Sequence, residues 1–136
     1  MTAWSAVVDP GWSLDAFRGA ARAALRAGVA PHDLDWPADG QGGLLAAPDV
    51  RGAPAVLVAP RVPRAFLELA GTVLCHRDPQ RHALLYRLLW RIAHGEPHLL
   101  ATPTDADVRL AMQLAQEVRR DAHKMKAFVR FREVPG

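Results

Sequence analysis

The sequence predicts an α+β domain in which a small sheet is packed by about four helices. Three observations predict it. Four segments repeat apolar residues at helical spacing, and short apolar or alternating runs lie near the start, middle and end. The third is size: 136 residues, 50% of them hydrophobic, suit one domain with a working core, so residues 1 to 136 read as a single domain.

Residues 3 to 8, AWSAVV, read as a short strand that the turn DPG ends. Ser13 then caps a helix from about Leu14 to Arg26, with Leu14, Phe17, Ala21, Ala24 and Leu25 on its inner face and Gly28 as its stop. Arg18, Arg22 and Arg26 stripe the outer side, as a solvated helix face would. Residues Ala30 to Gly52 are rich in Pro, Gly and Asp and read as loop, anchored on the core by Trp36. APAVLVA, residues 53 to 59, is a short apolar run between prolines and predicts a buried strand.

Pro63 starts a helix from about Arg64 to Cys75, and Asp78 with Pro79 opens the next. The latter places Leu84, Leu85, Leu88, Leu89 and Ile92 on one face and stops at Gly95. Thr104, Asp105 and Asp107 give a capping-box-like start to the strongest helical pattern, Val108, Ala111, Ala115, Val118, Ala122 and Met125. The period then shortens. Val129 and Phe131 alternate with Arg130 and Arg132, so residues 127 to 134 read as a closing strand with Phe128 on the arginine side.

Composition narrows the function. Lys and Arg number 6 against 7 Asp and Glu in residues 1 to 68, but 11 against 7 in residues 69 to 136, so positive potential gathers in the second half. One cysteine, Cys75, excludes a disulfide framework and any multi-cysteine metal site within the chain. No metal or other cofactor is expected. No segment has the apolar length of a membrane span, and no basic start precedes a long apolar run, so a cytoplasmic protein without membrane contact is expected. Cys75 stands beside His76, but adjacent helical residues point about 100° apart, and a small core cysteine is the simpler reading.

Motifs for phosphate cradling, dinucleotide binding, zinc proteolysis and hydrolase nucleophiles are missing, and no catalytic residue is identified. What remains is EVRRDAHKMKAFVRFREV, residues 117 to 134. On a helix Arg119, His123 and Lys126 share a face, with Arg120 one turn from Lys124, and the strand adds Arg130 and Arg132. Such a cluster suits a phosphate backbone, with Phe128 placed to stack on an unpaired base. The ordinary alternative pairs Glu117 with Arg120, Asp121 with Lys124, and Glu133 with a strand arginine. Arg87, Trp90 and Arg91, beside His94, form a second basic and aromatic stripe, where core-edge packing competes with nucleic-acid contact.

RRDAHKMKAFVRFRE closely resembles the signature of a bacterial domain family of unknown activity, named "probable DNA metabolism protein". CHRDPQRHALLYRLLWRI, FRGAARAAL and PHDLDW resemble its earlier blocks, so the likeness spans roughly residues 3 to 134. It implies DNA repair or modification, in the company of a radical SAM protein or fused ahead of a uracil-DNA glycosylase domain. Arg119, Arg120, His123, Lys124, Met125, Phe128, Arg130 and Phe131 match its motif, without an assigned role. Family members continue past VPG, so a chain incomplete at its C-terminus is expected, and glycosylase activity is not expected of these residues. The expected function is a DNA-binding accessory module, with single-stranded DNA among its ligands. The other class is an adaptor that docks the radical SAM or glycosylase partner without touching DNA. The third is an enzyme that uses His123 and Lys124.

Overall fold

Four helices and one very small sheet make up the structure, a computed structural model that describes residues 3 to 37 and 47 to 132, with the backbone alone from 124 onward. Strand β1, Trp4–Ser5, pairs in parallel with β2, Leu34–Asp35, in the register Trp4 to Leu34 and Ser5 to Asp35. Ser5 also bridges to Asp49, and its hydroxyl donates to the Ala47 carbonyl at 2.7 Å, which satisfies a buried polar group.

Helix α1, Leu14–Arg26, begins where the Ser13 hydroxyl accepts the Ala16 N–H at 3.1 Å. Its predicted inner face is the observed one: Phe17, Ala21, Ala24 and Leu25 are buried, and Leu14 is half-buried. Gly28 ends it at φ 72°, a backbone angle that favours glycine, and the Val29 N–H returns to the Ala24 carbonyl at 3.0 Å. Helices α2, Arg64–Val73, and α3, Arg81–Ala93, each pack against the other and against α1, and α4, Ala106–Arg132, lies across both. Arg81 closes the corner between α2 and α3 by donating to the carbonyls of Leu74 and Asp78, each at 3.0 Å.

All five predicted apolar positions of α3 are buried, together with Tyr86. The Tyr86 hydroxyl donates to the Val29 carbonyl at 2.6 Å, and burial pushes its pKa up. Residues 30 to 52 are not the continuous loop expected, since they hold short 3-10 turns at 31 to 33 and 50 to 52 and strand β2, with 38 to 46 outside the described residues. Trp36 packs on the core as predicted. Its ring stacks on Phe17 of α1 at 5.4 Å and on His82 of α3 at 6.0 Å, and it tilts against Tyr86 at 5.7 Å. Burial lowers the pKa of His82, with the Arg81 charge adding to that effect and the bond to the Gly11 carbonyl at 2.8 Å opposing it.

Three further sequence expectations are corrected. Residues 53 to 59 form no strand: Val56, Leu57 and Val58 are 68%, 49% and 92% exposed. Their backbone is engaged elsewhere, since the N–H groups of Val56 and Leu57 both donate to the Arg26 carbonyl at 2.8 Å and so cover the end of α1. Cys75 is exposed, just past the end of α2, with its thiol directed at the Gly71 carbonyl at 3.5 Å.

The third correction concerns the chain beyond residue 126. Its backbone stays helical through Arg132, while 133 and 134 lie outside the described residues. An isolated strand leaves its N–H and C=O groups unpaired, whereas a helix satisfies them within the segment. The spacing allowed this reading too, because Ala122, Met125 and Val129 continue at steps of three and four.

Candidate nucleic-acid interface

Helix α4 starts on a carboxylate rather than on Thr104. Asp105 Oδ1 accepts the N–H groups of Asp107 at 2.9 Å and Val108 at 3.1 Å, which satisfies two of the helix's free donors. The same carboxylate binds Arg91 of α3, whose Nη2 lies 2.7 Å from Asp105 Oδ2. Arg91 also reaches Glu96 at 2.7 Å through Nε and Asp107 at 3.3 Å through Nη1, and Arg87 contacts Asp107 at 3.3 Å. Thus the second basic stripe of the sequence is tied to carboxylates. Trp90 is half-buried beside it, stacked on His94 at 3.8 Å and tilted against Tyr86.

The arginine makes Asp105 a much stronger acid. Its hydrogen bonds from Arg91, then from the Val108 N–H, bring its pKa down to about 2 from the ordinary 3.8. A carboxylate with a depressed folded pKa contributes stability above its unfolded value, and that contribution is lost as pH falls from about 4 toward about 2. Replacing Arg91 by alanine is expected to return the Asp105 titration toward 3.8, as read by carboxyl NMR. The variant should also melt below the wild type at neutral pH, with the gap closing in acid. An unmoved titration would contradict the pairing.

From Arg119 to His123 the picture changes. Five consecutive residues, Arg119, Arg120, Asp121, Ala122 and His123, are all exposed, so this length of α4 meets solvent on every side. Among the described residues neither Arg119 nor Arg120 has an ion-pair or hydrogen-bond partner. The expected pair of Glu117 with Arg120 is not made. Glu117 Oε1 instead lies 3.6 Å from Nε2 of His76, whose Nδ1 accepts the Asp78 N–H at 3.0 Å. The proposed pairs of Asp121 with Lys124 and of Glu133 with an arginine involve side chains outside the described residues.

Helical backbone rearranges the predicted set. At about 100° per residue, positions 119, 123, 126 and 130 fall within about 60° of one another and run for about 16 Å along the axis. Position 120 lies about 60° beyond one edge of that strip, and position 124, about 160° from position 126, does not join it. Positions 128 and 132 do not join it, because each lies about 160° from position 130. The sequence-based placement of Arg130, Arg132 and Phe128 on one side is therefore overturned with the strand that produced it. Positions 122, 125 and 129 continue the apolar strip on which Val108, Ala111 and Ala115 are buried.

Among the described residues no three His, Cys, Asp or Glu side chains cluster as a metal site, and no helix is long and apolar enough to cross a membrane. Residues 79 to 136, from the approach to α3 onward, match a family model described as Domain of unknown function (DUF4130). No curated protein and no solved structure matches the chain.

Proposed function

We propose that this protein is a DNA-binding accessory module that serves DNA repair or modification in the cytoplasm. Its contact surface is the cationic strip of α4 at positions 119, 123, 126 and 130, bordered on one side by Arg120. The observation that carries the reading is the contrast between two arginine groups. Arg87 and Arg91 are held by carboxylates, whereas Arg119 and Arg120 are exposed with no described partner. Cations left in water beside one another favour a polyanion, because each neutralised phosphate releases condensed counterions. The resemblance of RRDAHKMKAFVRFRE to a DNA metabolism family supports the same ligand, and this stretch falls within the matched residues 79 to 136. A radical SAM protein or a glycosylase domain is the partner that resemblance suggests.

A second reading, an adaptor with no DNA contact, draws on the apolar positions 122, 125 and 129, since Ala122 is exposed where its counterparts nearer the helix start are buried. Competition separates the two. A labelled single-stranded oligonucleotide should bind at about 0.1 M salt and be displaced by excess unlabelled strand. No affinity at that salt would defeat the DNA reading and leave the adaptor.

A further inference from the structure

Away from α4, the structure holds a cleft of about 440 Å³ between α1, α2 and the segment at 59 to 62. Its floor includes Phe17, Ala21, Leu25, Phe66 and Leu89, all buried side chains of three different helices. Pro60 and Val62 line the side supplied by the 59 to 62 segment. The space is of the size that holds a small organic molecule, and an apolar floor favours a hydrophobic body.

The rim carries charge of one predominant sign. Arg18 and Arg22, one turn apart on α1, both line the cleft, are exposed, and have no ion-pair or hydrogen-bond partner among the described residues. Asp15 is the one carboxylate on the lining, and it forms no ion pair with either arginine. Residues four apart on a helix set their Cβ atoms about 5–6 Å from each other, close enough for both guanidinium forks to grip one anionic group. Two unneutralised guanidinium groups repel each other, and a shared anion removes that repulsion.

We propose that this cleft binds an organic acid, with an apolar body on the Phe17, Phe66 and Leu89 floor and a carboxylate or phosphate held between Arg18 and Arg22. The inference is independent of the nucleic-acid reading, since it uses another helix and another ligand chemistry. The sequence presents Arg18, Arg22 and Arg26 as one uniform stripe. The structure divides them, because Arg26 does not line the cleft.

That division supplies the test, by isothermal titration calorimetry on the full chain. Octanoate and octyl phosphate should bind, and the tighter of the two identifies an acyl or a phosphate source. Octyltrimethylammonium should not bind, and inorganic phosphate should bind at least about tenfold more weakly than octyl phosphate. Arg18→Gln with Arg22→Gln should weaken octyl phosphate at least about tenfold. Arg26→Gln, an equal loss of charge outside the cleft, should leave the affinity within about twofold. The proposal is overturned by absence of binding, by equal binding of the octyl cation, or by an Arg26→Gln loss as large as that of the double variant.

Discussion

Phe17→Ala is expected to destabilise the protein by about 3–5 kcal/mol, a large share of the roughly 5–15 kcal/mol that holds a domain of this kind folded. The residue is 1% exposed, so its ring has no water to return to and the vacated volume stays empty. Its position amplifies the loss. Phe17 is the α1 side of a ring stack that continues through Trp36, next to β2, and His82 of α3, at 5.4 and 6.0 Å. Phe17→Leu keeps most of the volume and gives up the stacking, so it should cost less, under about 2 kcal/mol. Urea unfolding of the three proteins measures both differences. A Phe17→Ala cost below about 1 kcal/mol would mean that α1, the Trp36 loop and α3 do not share this packing.

Much of this core was legible because burial and helical period coincide in α1 and α3. Phe17, Ala21, Ala24, Leu84, Leu85, Leu88 and Leu89 could be read from spacing alone, and Ser13 and Gly28 marked the ends of α1. Trp36 was legible for another reason, as a lone large aromatic in a polar loop. The errors share a cause as well. An apolar run becomes a buried strand only if a neighbouring strand exists, and Val56, Leu57 and Val58 have instead given their N–H groups to the end of α1 or turned to solvent. Residues 127 to 132 fit both a period of two and a period of 3.6, and among the described residues no strand stands ready to pair with them, which favours helix.

What sequence could not supply is pairing across distance. Arg91 and Asp105 are separated by fourteen positions, and only the packing of α4 against α3 shows that Arg87 and Arg91 are paired with carboxylates. The Arg18 and Arg22 rim is a similar case, since its opposite wall comes from residues about forty positions away. Charge periodicity reveals that arginines share a face. It does not reveal what stands in front of them.

The largest functional effect is expected from the variant Arg119→Ala, Lys126→Ala and Arg130→Ala combined. Each phosphate contact on a single strand contributes about 0.7 to the slope of log K against log salt, so three lost contacts should flatten that slope by about 2. At 0.1 M salt the same arithmetic gives about two decades of affinity, roughly a 100-fold weaker complex. These positions fall on one strip only if the backbone is helical through Arg130, as it is here. Arg132→Ala provides the counter-test, because position 132 lies about 160° from position 130 and should cost less than about threefold. A closing strand would have put the two arginines on the same side and made their losses alike. Fluorescence anisotropy over a salt series reads both quantities, and circular dichroism verifies that the substituted helix persists. Equal losses from Arg130→Ala and Arg132→Ala would remove the helical strip as the DNA surface. A loss in the triple variant without a change of slope would remove phosphate contact as its cause.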